Sequence, residues 1–507
     1  MTSPSPIPLS ESEQIVQLQK ELAWAVLKIQ VLEERLRLER IKKYGPGSEK
    51  LNDAQLQLLD LEPGVSNAEV QAESEREPLP SPEKQQQRRK HPGRQELPAR
   101  LPRVERVIAC TPEQCTCKAC GQSKVVIGYD VSEQLDVEPA KYFVVVTKRE
   151  KRACKRCEEG GVVAAPAAER IIEKSLVSDR VVIDTVVAKY SDHLPLYRQS
   201  VILEREAGVE IGRATLDGWV MRVGELLIPM VEVMRRELLG GSYIQADETP
   251  VDVQLHDGRG QNHQAYLWQY GQPGGGVVFD FCLGRGREGP KEFLGQFEGI
   301  LQTDGYVAYE RVGGAKLVHA GCWAHARRKF FDAAKLNPHD AVATRLVKLI
   351  DELFGIDAGA REEKLDHAAR HVLRLERAQP LVEIIRGEAE AVRDASLPSS
   401  ALGKAANYTL SQWRKLTRFL EHAELELSTN LAENSMRPVA LGRKNWIHVG
   451  SQQAGPKVAA ILSIVETCRR MKIPIRGYLA AVLPGIADVS IHRLADLTPA
   501  AWAARKQ

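Results

Sequence analysis

Three things are scarce in this sequence, and each scarcity excludes a class of protein. No apolar run approaches the roughly 18 residues of a membrane-crossing helix. The N-terminal stretch MTSPSPIPLSESEQ has neither the basic start nor the apolar core of a secretory leader. Net charge is only +3 over 507 residues, so a nucleic-acid footprint must come from local clusters of lysine and arginine. What is present is ordinary for a globular chain: 43% hydrophobic and 27% charged residues, with length for roughly three or four domains. A cytosolic protein is expected. Nine cysteines, several in tight pairs, fit metal sites or reduced thiols better than a disulfide framework.

Composition divides the chain. Over 10–51, Ser10 and Glu13 form a capping box, and Ile15, Leu22, Ile29 and Leu36 alternate with Leu18, Ala25 and Leu32 at heptad spacing. That is a leucine-zipper-like seam for self-association into a dimer or higher oligomer, the alternative being an amphipathic helix packed on its own chain. Pro46 between two glycines ends it. Residues 52–108 are proline-rich and read as a flexible linker. Within it Arg88, Arg89, Lys90 and Arg94 surround a Pro-Gly, as a basic hook tracking DNA phosphates or as a solvated charge run.

Residues 109–165 carry two C-x-x-C pairs, Cys117 with Cys120 and Cys154 with Cys157, separated by the β-rich, basic YFVVVTKREKR. Four thiolates in two knuckles suit tetrahedral zinc, and a redox or unliganded reading accounts for only one pair. Cys110 and Cys115 lie nearby at a less suitable spacing. Residues 175–240 follow as a helical hairpin or a helix-turn-helix.

From 241 to 330 the pattern is strand–strand–strand–helix–strand–helix, the front of a ribonuclease-H-like α/β fold. The stretch IQADETP puts Asp247 and Glu248 side by side near a strand end, where alternation sends them to opposite faces. In this fold the first strand neighbours the strand after the helix, so Asp247 can meet Asp304. Two such carboxylates repel unless a cation separates them, and paired divalent ions about 3.5–4 Å apart serve phosphoryl transfer. Residues 331–425 read as a helical insertion. At 426–452, STNLAENSMRPVALGRKNW offers Glu433 in a short helix expected to end before Pro438, with Arg437, Arg443 and Lys444 behind it. Taken alone, Glu433 and Arg437 are also an ordinary surface pair. Residues 453–507 form a short helical C-terminal region. The overall expectation is a multidomain α+β protein.

Taken together, the C-x-x-C-G…C-x-x-C pattern, YSDHLPLYRQ, ADETP, TDGY, CWAHARRKF and NLAENSMRPVALGRKNW resemble the insertion-sequence-66 family of bacterial DDE transposases, over most of residues 10–485. The resemblance implies a DNA transposase with Asp247, Asp304 and Glu433 as catalytic acids holding magnesium or manganese, and zinc in the ribbon. It places a C-x-x-H signature on Cys322 and His325, near the scissile strand, and sets Arg437, Arg443 and Lys444 beside Glu433 to clamp DNA phosphates. Trp323, inside that signature, is then a base-stacking residue or a core tryptophan. Implied partners are double-stranded DNA, as element ends and as target, and accessory proteins of the same element, with no membrane and a place on the nucleoid. A nuclease of the same fold without strand transfer, or a non-enzymatic zinc-ribbon DNA-binding regulator, are the competing functions.

Overall fold

The computed structural model describes residues 11–44, 122–123, 141–153, 162–255, 261–337 and 340–505. Residues 82–146 make up one compact unit and the rest of the chain another, to which every element named here belongs. Helix α1 (Glu11–Tyr44) contains the heptad pattern. Its Val31 is buried, Arg37 Nη1 donates to Leu336 O at 2.7 Å, and Glu34 accepts from Ala401 N at 2.8 Å. The seam residues Ile15, Leu18, Leu22, Ile29, Leu32 and Leu36 remain exposed. Strands β1 (Lys151–Ala153) and β2 (Val162–Ala164) pair antiparallel. Cys117, Cys120, Cys154 and Cys157 lie outside the described residues, as do Arg88, Arg89, Lys90 and Arg94.

Three helices precede the sheet: α2 (Asp179–Tyr190), α3 (Leu196–Ala207) and α4 (Arg213–Leu239). Gly208 closes α3 in the left-handed region (φ 65°), which glycine enters without a Cβ penalty. Along α4 an apolar stripe of Leu216, Val220, Val223, Leu227 and Met230 is committed to the core.

The sheet is mixed. Strands β3 (Tyr243–Val253), β4 (His263–Gly271) and β5 (Val277–Cys282) form an antiparallel meander. The short helix α5 (Glu288–Leu294) crosses over to β6 (Ile300–Gln302) and then β7 (Val318–Ala320), both parallel to β3, in the order β5-β4-β3-β6-β7. Helix α6 (Trp323–Leu336) leads into α7 (Ala341–Glu362), α8 (His367–Leu373) with a π-helical turn at Arg374–Ala378, α9 (Gln379–Ala395), α10 (Ala401–Ser411) and α11 (Trp413–Leu416). These helices share a second apolar core that includes Phe330, Val347, Phe354, Val382 and Phe419. Beneath it Asp357 and Glu426 neutralise Arg361, Arg370 and Arg374, all partly or fully buried.

The chain returns through α12 (Asn430–Trp446) and β8 (His448–Val449), which pairs with the far end of β3. The helix expected to stop before Pro438 runs through it. A proline forfeits one backbone bond, while Met436 and Val439 on either side of it are buried on one face and hold both turns to the core. Helix α13 (Ala454–Arg470) covers the β5 edge: Ser463 Oγ accepts from Phe279 N at 2.8 Å and Thr467 Oγ1 from Val277 N at 3.0 Å. An edge satisfied by side chains is closed to further strands. Helices α14 (Ile475–Val482) and α15 (Pro499–Ala504) finish the fold. Among the described residues no helix is long and apolar enough to cross a membrane.

Candidate active site

Strand register brings the first two acids together. Gln245 stands opposite Gln302 in the parallel β3–β6 pair, so Asp247 and Asp304, each two residues further on, reach the same level of the sheet. Just beyond Asp304 the chain must reverse, and Gly305 does so at φ 90°, a backbone that side-chain-bearing residues rarely adopt. Asp304 Oδ1 accepts from Tyr306 N at 2.8 Å, and its carbonyl accepts from Tyr408 OH at 2.6 Å. Asp247 Oδ1 accepts from Glu248 N at 2.9 Å.

The third acid arrives from the other side of the insertion. Glu433 lies in the first turn of α12. Its approach is fixed by a buried amide ladder. Gln245 Nε2 donates to Gln302 Oε1 and to Ser428 O, both at 3.0 Å, while Gln302 Nε2 donates to Gly321 O at 2.9 Å and Glu426 O at 2.7 Å. The segment entering α12 is thereby bonded to the two strands that carry the aspartates. Sequence reading missed this ladder, because an isolated glutamine in a strand carries no signal of a partner more than a hundred residues away.

Electrostatics tie the three together. Burial first, then the charges of Glu433, Glu248 and Asp304, push Asp247 well above the usual carboxylate range. Glu433 is flanked by His325 Nε2 at 3.6 Å and Arg328 Nη2 at 3.8 Å, both from α6. Burial lowers the His325 pKa, but Cys322 and Glu433 outweigh it and bring it up to about 9. Cys322 also accepts from Thr429 N at 3.3 Å. The C-x-x-H pair therefore supports the third acid.

Hard carboxylate oxygens held close enough to repel fit a divalent cation of the magnesium class. Among the described residues no three His, Cys, Asp or Glu side chains are gathered closely enough to hold an ion. Glu433 Oε1 is buried without a hydrogen bond, 3.6 Å from His325 Nε2.

Two residues expected at the DNA have partners within the chain. Trp323 is not a base-stacking residue here: it is 1% exposed, its indole N–H donates to Leu416 O at 2.9 Å, and Trp413 and Phe419 meet it edge-on. Its position at a strand–helix corner put it in the core. Arg443, read as a phosphate clamp, donates to Thr249 Oγ1 at 3.0 Å and to Pro250 O, tying α12 to β3. Lys444 is exposed and Arg437 half-buried. Glu248 does face away from Asp247, but it is no idle neighbour: it is buried and bonded to Arg285 and Tyr309.

Residues 174–457 match the family described as "Transposase IS66 family". Residues 114–158 match "zinc-finger binding domain of transposase IS66", and 31–106 match "Transposase C of IS166 homeodomain". The chain is similar to the uncharacterized protein y4qI of Sinorhizobium fredii, 33% identical over 473 residues that cover 88% of this chain and 84% of that one. It is similar also to y4hP of the same organism, 30% identical over 503 residues, 94% of this chain and 88% of the relative.

Proposed function

The chain belongs to the IS66 transposase family, and on that premise we propose that it binds the ends of its own insertion sequence and catalyses metal-dependent DNA strand cleavage and strand transfer. The observation that supports this reading most is the β3–β6 register, which sets Asp247 and Asp304 at one level of the sheet, with Glu433 in the first turn of α12 near enough to raise the Asp247 pKa. An antiparallel meander followed by two parallel strands on the other side of β3 supports a ribonuclease-H-like core interrupted by the insertion.

In this reading Asp247, Asp304 and Glu433 hold magnesium or manganese. The bound ions supply Lewis-acid polarisation of the scissile phosphate and stabilise the attacking and leaving oxygens. The residues of the chain do the rest. The amide ladder keeps the acids at fixed separation, and His325 and Arg328 hold Glu433 beside the strands until cations compete for it. Lys444 and Arg437 supply positive charge along α12 for the DNA backbone. The two C-x-x-C pairs hold zinc in a ribbon that, with the basic segment at 88–94, binds the element's ends. The exposed seam of α1 pairs two copies so that both ends react together, with accessory proteins of the element assisting at the nucleoid.

The test is cleavage and joining of a duplex carrying the sequence that flanks this chain's own gene, in magnesium or manganese. Asp247→Asn, Asp304→Asn and Glu433→Gln should each lose several orders of magnitude of cleavage while still binding DNA. Combining two should add little, because groups acting as a unit are not additive. Cutting without joining would make the protein a nuclease, and an unimpaired Asp247→Asn variant would end the enzymatic reading.

A further inference from the structure

We propose that Arg285 is a phosphate-binding residue at the rim of the acid cluster, held ready by Glu248 on the far face of β3. This rests on the reading of the site as one that acts on DNA. Arg285 lies between Gly284 and Gly286 on the exposed loop that follows β5. A long side chain on such a loop is normally free to move. This one is fixed on several sides. Its Nε and Nη2 both donate to Glu248 Oε1, at 3.1 and 2.7 Å. The Tyr306 ring stacks on the guanidinium with its centroid 4.1 Å away, and Tyr266 flanks it at 5.9 Å. The Tyr306 hydroxyl donates to Arg285 O at 3.1 Å, closing the clamp on the backbone as well.

The clamp is anchored to the acids by sequence. Glu248 follows Asp247, and Tyr306, whose N–H binds the Asp304 carboxylate, follows Asp304 by two residues. Glu248 in turn is only 3% exposed, and its second oxygen accepts from Tyr309 OH at 2.9 Å. A buried carboxylate needs a cation, but charge balance alone calls for neither the two tyrosines nor an exposed guanidinium. Because both bonds from Arg285 go to a single oxygen, Nη1 keeps its donors, and the described residues give it no acceptor. An immobilised planar fork with unspent donors, nearly half exposed, suits a phosphodiester oxygen. Glu248 is then a positioning residue.

The experiment uses the full chain and a flank-derived duplex in calcium, to measure binding without cleavage, with neutral methylphosphonates placed one at a time along the stretch of duplex that the bound protein protects. Wild type should lose about tenfold in affinity at one or two positions. In the double variant Glu248→Gln with Arg285→Gln, which keeps a hydrogen-bonded pair and leaves no buried charge unpaired, that loss should vanish. Its log–log salt slope should be shallower by about 0.9, one phosphate contact. A folded double variant with the wild-type profile overturns the proposal. Should the double variant fail to fold, phenylglyoxal modification of Arg285 in wild type decides: DNA must slow it, and unchanged labelling overturns the proposal. Wild type that binds DNA but never cuts it refutes the enzymatic reading and leaves this one to the methylphosphonate profile. Wild type that binds no DNA overturns both.

Discussion

Arg374 sits at the centre of the insertion, and replacing it by methionine tests whether that domain is held together by charge. Its side chain is 0% exposed. The guanidinium donates to Asp357 at 2.9 and 2.7 Å and to the carbonyls of Phe419 at 3.0 Å and Leu425 at 2.7 Å, with longer bonds to His422 and Ala423 at 3.3 Å. Methionine fills much of the volume but leaves Asp357 with Arg370 as its remaining cation and strips several carbonyls of their donor. Breaking a buried pair from one side costs about 3–5 kcal/mol, and each orphaned acceptor adds to that, though not independently. A typical domain has only about 5–15 kcal/mol in total. At about 1.4 kcal/mol per decade, amide exchange in the core of α7 and α9 should accelerate by roughly two to four orders of magnitude, read by mass spectrometry on the native chain. Cleavage should fall as well, because Leu425 precedes Glu426, whose carbonyl holds Gln302. Exchange within tenfold of wild type would mean that apolar packing alone sustains the insertion.

Trp323→Ala should destabilise the insertion core by about 3–5 kcal/mol, measured by denaturant melts, while leaving the salt dependence of DNA binding unchanged; a weakened DNA complex at full stability would return the residue to the interface. Asp357 has its pKa lowered: burial opposes the shift, and Arg374 and Arg370 outweigh it. Its contribution is therefore fully present above the unfolded carboxylate value of about 3.9 and lost as pH falls through the lower folded value, so insertion stability should stay flat from neutrality to about pH 5 and collapse only in strong acid. Asp247 has the opposite sign, its pKa raised by burial and by its acidic neighbours, so Asp247→Asn should stabilise the metal-free chain in thermal melts at neutral pH, and a lower midpoint would contradict the crowding of the acids. Purified without chelator, the protein should carry about one zinc per chain, and chelation should unfold the ribbon; elemental analysis finding none would remove the zinc site.

The sequence was legible where function leaves a local mark. Alternation in IQADETP announces a strand end with an acid on it, and the strand order read over 241–330 made Asp304 its neighbour, as the β3–β6 register has it. The heptads of α1 appear in one continuous helix with its seam exposed. What stayed hidden depends on pairings across long stretches of chain. Nothing local to Gln245 or Gln302 indicates that they bond each other and the segment ahead of Glu433. Trp323 looked equally suited to a base and to a core because its neighbours Trp413 and Phe419 lie far along the chain. The run of α12 through Pro438 reflects burial on both sides of the proline, a tertiary effect that outweighs a local breaker.

The placement of Glu433 links these observations. Its helix is an element of the sheet domain, yet its neighbours lie where the chain enters and leaves the insertion: His325 and Arg328 of α6, which packs on the insertion's core, stand beside its carboxylate, Cys322 accepts from Thr429 N, and Glu426 just upstream is held by Arg361 and Arg370 of the insertion. The aspartates depend on the insertion less: the β3–β6 register sets their level, and a single bond from Tyr408 OH reaches the Asp304 carbonyl. The insertion therefore bears on the third acid more than on the other two. A change anywhere along the path from Arg374 through Glu426 to Gln302 acts on the acids without touching them, and its effect on cleavage should follow the local opening of the insertion rather than the stability of the sheet. The Arg374→Met variant and a sheet-core change such as Val278→Ala separate the two: at equal overall destabilisation, the first should lose more cleavage than the second, and equal losses would mean that the insertion supports the acids only by keeping the chain folded.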